Sequence, residues 1–175
     1  MDSFTEKNQR PKSSEFQENL EILRQMDFFS VLSLEALKVI AYLCSRERFK
    51  AGDFLFRQDD IDGNAFYIIL GEAELVRQDG GKGWILRKYS EGEFLGGLAL
   101  LGDMRRLFSL KASTDMVCLI LSRDKFSKTL EQFPELTPRV LKTMVESIRA
   151  WEERLILDPN HLCEVCMPKL GVTLL

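Results

Sequence analysis

The sequence predicts a mainly β core, an antiparallel sandwich or barrel, preceded by helices and followed by one long helix. Three observations lead there. From about Glu47 to Leu121, short apolar runs recur at close spacing, broken by glycine- and aspartate-rich turn signals. On either side of that stretch, apolar residues recur at helical spacing. No alternation of helix and strand patterns appears, which argues against a parallel-sheet enzyme fold.

Taken in order, residues 1–14 are mostly polar, carry Pro11 and three serines, and read as a disordered lead-in. Residues 15–46 read as two helices. Phe16, Leu20, Leu23 and Met26 form the apolar face of the first. Ser33 is a candidate N-cap for the second, whose face is Leu37, Ile40, Ala41 and Cys44. Residues 47–122 form the β unit, with apolar runs at Phe54–Phe56, Ala65–Leu70, Ala73–Val76, Trp84–Leu86, Phe108–Leu110 and Val117–Leu121. The Asp79-Gly80-Gly81 run reads as a hairpin loop, since glycine accepts the positive φ such turns require. Residues 123–158 return to helix: Asp124–Leu130, then a second helix that Pro134 can start. Leu136, Val140, Leu141, Met144, Val145, Ile148, Trp151 and Leu155 form one apolar stripe along it. Asp158-Pro159-Asn160 ends that helix, and residues 159–175 are a tail without clear period.

Composition excludes several classes. The chain has 175 residues, 45% of them hydrophobic, enough to bury a core without disulfides or metals. Net charge is −3 and no long basic run occurs, which argues against non-specific nucleic-acid binding. Cys44 and Cys118 lie in apolar runs and read as small buried hydrophobes, not as a disulfide framework. The N-terminus lacks an apolar signal core, and no apolar run reaches membrane-spanning length. A cytoplasmic protein with no membrane span is therefore expected. His161 is the only histidine, so a Ser-His-Asp or multi-histidine site within one chain is excluded, and no enzyme activity is expected. His161, Cys163 and Cys166 offer three metal ligands in six residues. A fourth would have to come from Cys44 or a second chain, so no metal is assigned and no cofactor is required.

The chemistry concentrates in Glu91–Ala112. Gly96-Gly97 precedes the short apolar segment Leu98–Leu101, then Arg105 and Arg106, then a strand. A glycine-flanked helix start presents backbone N–H groups to an anion. An arginine shortly after can close over it with charge-assisted hydrogen bonds. Either arginine fits that role from spacing alone.

This segment resembles the phosphate-binding cassette of the cyclic-nucleotide-binding domain family, which includes sensor domains of protein kinase A regulatory subunits and of the catabolite activator protein. Phe28-Phe29-Ser30, Phe49-Lys50-Ala51-Gly52-Asp53 and Phe66 through Leu75 resemble its other signatures, in the family's order. The resemblance implies an eight-stranded jelly-roll barrel with a C-terminal helix that covers the pocket or pairs two subunits. It implies cAMP or cGMP as ligand and a regulatory role in signal transduction. By position, Gly96 matches the cassette glycine, Leu98, Ala99 and Leu100 the short helix, Arg106 the phosphate-binding arginine, and Ser109 a common Ser/Thr site. Gly97 stands where the family usually has a ribose-binding glutamate, and Asp59 where it often has glycine. Leu107 and Phe108 replace small residues, and at least one is expected to intrude into the pocket. A hydrogen bond to a charged group is worth about 1.5–3 kcal/mol, so the lost glutamate weakens a nucleotide roughly ten- to a hundredfold. Three states fit this pattern: a weak cyclic-nucleotide site, a site for another small anion, or a ligand-free interaction module. A homodimer or protein partner is expected through residues 136–157. Residues 158–175 are too few for a helix-turn-helix, so no DNA-binding domain is expected in this chain.

Overall fold

The computed structural model describes residues 12–157. Helix α1, Lys12–Gln25, starts inside the segment read as a disordered lead-in, so Lys12 to Ser14 belong to the helix. Leu20 and Leu23 are buried on its inner face, against helix α2, Leu34–Leu43. A 3₁₀ turn, Asp27–Phe29, separates the two. Ser33 caps α2 as expected: its Oγ accepts from the Ala36 N–H at 3.3 Å, satisfying one of the donors a helix start leaves unpaired.

Eight strands follow: β1 (Ser45–Phe49), β2 (Phe54–Phe56), β3 (Asn64–Leu70), β4 (Ala73–Asp79), β5 (Lys82–Tyr89), β6 (Phe94–Leu95), β7 (Ser109–Ala112) and β8 (Met116–Ser122). They form two antiparallel four-stranded sheets, ordered β1-β8-β3-β6 and β2-β7-β4-β5. This is the jelly-roll arrangement the resemblance implied. The hairpin between β4 and β5 turns on Gly80 and Gly81, at φ +55° and +80°. Positive φ at both central residues matches the strand twist, as the glycine pair predicted.

Two hydrophobic clusters organise the molecule. One fills the barrel with Phe56, Phe66, Ile68, Leu75, Leu110, Met116, Cys118 and Ile120. The other lies between the helices and the outer face of the first sheet, around Leu23, Phe29, Ile40, Phe126, Leu136 and Val140. Neighbours on β3 divide between them: Ala65 faces the helices and Phe66 the barrel. Leu121 and Ile120 on β8 do the same. Both faces of this part of the sheet are covered, which is why the apolar runs at Ala65–Leu70 and Val117–Leu121 are continuous rather than alternating.

Helix α3, Arg123–Gln132, buries Phe126 completely. Pro134 opens a 3₁₀ turn, Pro134–Leu136, rather than the long helix itself, and helix α4 spans Thr137–Leu157. The stripe on α4 divides. Val140 and Met144 are buried, Ile148 is half-buried, and Leu141 and Val145 are exposed. The side chains of Trp151 and Leu155, and the segment with His161, Cys163 and Cys166, lie outside the described residues. Among the described residues no helix is long and apolar enough to cross a membrane.

Cys118 is fully buried and Cys44 half-buried. Burial pushes the Cys118 thiol up to about 12, with Glu47 adding to the rise. Alkylation requires the thiolate, which at pH 8 would be on the order of a thousandth or less of that thiol. Iodoacetamide treatment of the native chain followed by peptide mass mapping should leave Cys118 unmodified, and denaturant should expose it. Labelling at equal rates with and without denaturant would contradict the buried placement.

Candidate functional site

The segment between β6 and β7 forms one wall of a cavity of about 230 Å³. Gly96 sits at φ +83°, and a Cβ there would stand 2.7 Å from the Asn64 carbonyl oxygen and 3.1 Å from Arg106 Nη1. Only glycine satisfies both demands. A 3₁₀ turn, Gly97–Leu100, follows, and the Ala99 N–H donates to the Gly96 carbonyl at 2.9 Å. Ala99 therefore spends its donor inside the turn. The first N–H groups of such a turn, Gly97 and Leu98, lack an acceptor within it. Leu95 enters the barrel cluster and Leu100 the helical one, so this short segment is anchored in both.

The structure distinguishes the two arginines. Arg105 is outside, 67% exposed, in a 3.5 Å pair with Asp59. Arg106 is turned inward and 8% exposed. Its Nη2 donates to Asp62 Oδ1 at 2.6 Å and to the Asn64 carbonyl oxygen. Its guanidinium carbon lies 4.1 Å from the centre of the Phe56 ring, a cation–π contact at the barrel end. Its Nε is buried without a hydrogen-bond partner. The Arg106 backbone is fastened too: its N–H donates to the Asp60 carbonyl at 2.9 Å and its carbonyl accepts from Asp59 at 2.8 Å. Asp59 holds φ +73°, a left-handed conformation in which a non-glycine residue is uncommon.

The other expected residues scatter. Leu98 is exposed at the cavity rim and Ala99 is buried in its wall. Ser109 is buried, and its Oγ accepts from the Gln58 N–H at 2.8 Å, bracing the loop before β3. Phe108 turns inward beside Phe56, ring centres 6.5 Å apart, while Leu107 remains 64% exposed at the rim. Both bulky residues line the cavity. With Leu75, Tyr89 and Met104 they give the cavity a largely apolar lining around one buried cation. Its volume falls below the roughly 300–1,000 Å³ common for small-molecule sites.

Two contributors were not visible in the sequence. Asp62, the partner of Arg106, lies 44 residues upstream in what reads as a turn. Phe28 closes the cassette from behind: a Cβ at Gly97 would stand 2.7 Å from Phe28 Cε2 and 3.1 Å from Phe94 Cε1. Gly97 thus does more than omit a carboxylate. The Phe28 ring, packed on Phe29 and Phe94, stands against the space where a side chain would begin. Among the described residues no cluster of three His, Cys, Asp or Glu side chains is placed to hold a metal.

The family described as "Cyclic nucleotide-binding domain" matches residues 46–133. A cAMP-dependent protein kinase regulatory subunit from Colletotrichum orbiculare is 29% identical over 133 residues, covering 73% of this chain and 33% of that protein. The chain thus spans about a third of that relative's length. Among solved structures, a cyclic nucleotide-binding-like protein from Brucella abortus is 26% identical with a TM-score of 0.60, covering 65% of this chain and 98% of that one. The regulatory subunit of a cAMP-independent protein kinase A from Trypanosoma brucei is 21% identical with a TM-score of 0.62, covering 90% of this chain and 52% of that one. That last likeness is one of fold.

Proposed function

The chain belongs to the cyclic nucleotide-binding domain family, and from that premise we infer that it is a non-catalytic regulatory module whose cavity takes cAMP or cGMP with reduced affinity. The observation that carries this reading is the inward position of Arg106 beside the Gly96–Leu100 turn, at the wall of a cavity the cassette lines. A cyclic phosphate would take the Gly97 and Leu98 N–H groups and compete with Asp62 for the guanidinium. The resulting movement has a route outward. Leu100 of the cassette shares the helical cluster with Leu136 and Val140, and Phe28 lies between Gly97 and that cluster. A ligand that repositions the cassette therefore shifts the base of α4. The exposed Leu141 and Val145 on α4 are the surface through which a second subunit or a protein partner would receive the signal.

A second reading is favoured by one specific observation. Arg106 already has Asp62 and Asn64 as partners, and Phe108 is among the side chains that narrow the cavity to about 230 Å³. On this reading the barrel is a ligand-free interaction module, or takes a different small anion.

Thermal unfolding with and without millimolar cAMP and cGMP separates the two. A ligand bound only by the folded state adds about 2.7 kcal/mol at a hundredfold excess over Kd. The expected result is a concentration-dependent rise in Tm that disappears in Arg106→Lys, which keeps a charge but loses the planar fork. Because that variant perturbs a buried pair, Leu98→Pro serves as a second probe, removing one cassette N–H on an exposed residue. No rise with either nucleotide would transfer the assignment to the ligand-free reading.

A further inference from the structure

Strand β5 differs from every other strand in the barrel. Seven of its eight residues are exposed, and only Tyr89 is partly covered. It is the outer strand of its sheet, bonded to β4 alone. Among the described residues no backbone hydrogen bond leaves β5 for any element besides that ladder. Half of its backbone donors and acceptors therefore face outward unpaired, a template for another strand.

Its side chains carry the second observation. Trp84, Ile85 and Leu86 are consecutive and stand 47%, 56% and 52% exposed. Three adjacent large apolar residues on an open edge differ from scattered surface hydrophobes, which need no explanation. Opposed residues on paired strands share a face, so Trp84 lies on the face of Arg77 and Ile85 on that of Val76. Apolar surface is thus offered on both sides of the strand. The third observation is charge. In a chain of net −3, the segment Lys82–Tyr89 holds Lys82, Arg87 and Lys88 and no carboxylate. Arg87 pairs with Glu93 at 2.6 Å and lies over the Tyr89 ring, and Lys88 pairs with Glu74 at 3.5 Å; both partners are half-buried but both cations are exposed, and Lys82 has no ion pair among the described residues.

We propose that the free edge of β5 is a docking strand for an extended acidic peptide segment of a partner protein, which adds as a further strand to the sheet. Backbone pairing gives the register. Side chains of the incoming strand fall alternately on the face of Trp84 and on that of Ile85, where apolar ones lie against these two, and its carboxylates meet Lys82, Arg87 and Lys88. A second copy of this chain is disfavoured at this edge, because antiparallel β5–β5 pairing sets cations against cations. A lipid surface is disfavoured because the hairpin tip, Asp79 to Gly83, has no apolar side chain to enter first. This site is separate from the nucleotide cavity, and its test contains no nucleotide.

Amide hydrogen exchange of the full chain is measured with millimolar acetylated (Glu-Val)₃ peptide, and with (Lys-Val)₃ as control. The expected result is at least tenfold slower exchange of β5 amides with the acidic peptide only. It should be lost in the double variant Trp84→Thr, Leu86→Thr, whose residues suit an exposed strand. It should also be lost in Lys82→Glu, Lys88→Glu. Unchanged exchange, or equal slowing by both peptides, overturns the proposal. So does β5 protection by phosphatidylserine vesicles in place of the peptide, which would assign a membrane. Concentration-dependent dimerisation that Trp84→Thr abolishes would assign a second copy and overturns it equally.

Discussion

Replacing Asp62 with alanine is expected to destabilise the fold by about 3 kcal/mol, near the lower end of what breaking a buried ion pair costs. The reason is what remains. Arg106 is 8% exposed, with Phe56 beneath its guanidinium and its Nε already without a partner. Without the carboxylate, a buried positive charge keeps only the Asn64 carbonyl. Asp62 also accepts from the Asn64 N–H at 2.9 Å, so the turn before β3 loosens at the same time. Asp62→Asn retains an oxygen for both donors and loses only the charge, so its cost is expected to be about half as large. It also leaves Arg106 less committed, and an anion should bind the asparagine variant more tightly than the wild type. Urea denaturation with unchanged m-value measures the first effect, and calorimetric titration the second. An alanine variant within about 0.5 kcal/mol of wild type would mean that Arg106 finds another partner or reaches water.

The second large effect lies at Gly97, and it separates two reasons for a glycine there. If the position lacked a side chain only because no ligand needs one, Gly97→Ala would be nearly neutral. Instead the added Cβ meets the Phe28 and Phe94 rings, and the expected cost is about 1–3 kcal/mol, typical of overpacking. Phe28→Leu should relieve most of it, so the double mutant is more stable than the sum of the single changes implies. A coupling of about 1 kcal/mol or more is expected, as for residues in direct contact. In the Phe28→Leu background, Gly97→Glu restores the family's carboxylate. Cyclic nucleotide should then bind roughly ten- to a hundredfold more tightly than to Phe28→Leu alone. Strict additivity, with no gain in affinity, would show that the ring is not what excludes a side chain at position 97.

How much of this was legible in the sequence follows from the range of each interaction. The glycine pair at 80–81, the Ser33 cap and the covered runs of β3 and β8 depend on neighbours in sequence or on continuous burial, and each could be read locally. So could the order of Gly96 and Arg106. Strand β1 was missed because Ser-Arg-Glu-Arg-Phe has no alternating apolar pattern; pairing with β8 from Ser45 to Phe49 makes it a strand. Strand β6 is two residues long and carries no period. Asp62 and Phe28 were missed for another reason. Their meeting with Arg106 and Gly97 is set by how distant segments close around the barrel end, and no local spacing encodes it. The single stripe read along α4 divides in the structure, because a helix buries only the arc that faces a neighbour, which leaves Leu141 and Val145 outside.

In the proposed regulatory role, helix α4 would act mechanically as a lever. Its 21 residues make a rod of roughly 32 Å. Its main contacts are with the 3₁₀ turns at Asp27–Phe29 and Pro134–Leu136, close to its own first turns. A rod held at one end converts rotation into travel in proportion to its length. A tilt of about 10° at the fulcrum carries the far end through roughly 5 Å, about one helical turn. In that role, a displacement of the Phe28 ring by a fraction of an ångström near the fulcrum would be enlarged before it reached the far end. The gain depends on length alone, so shortening the rod from its far end would reduce the stroke without altering what happens at the fulcrum.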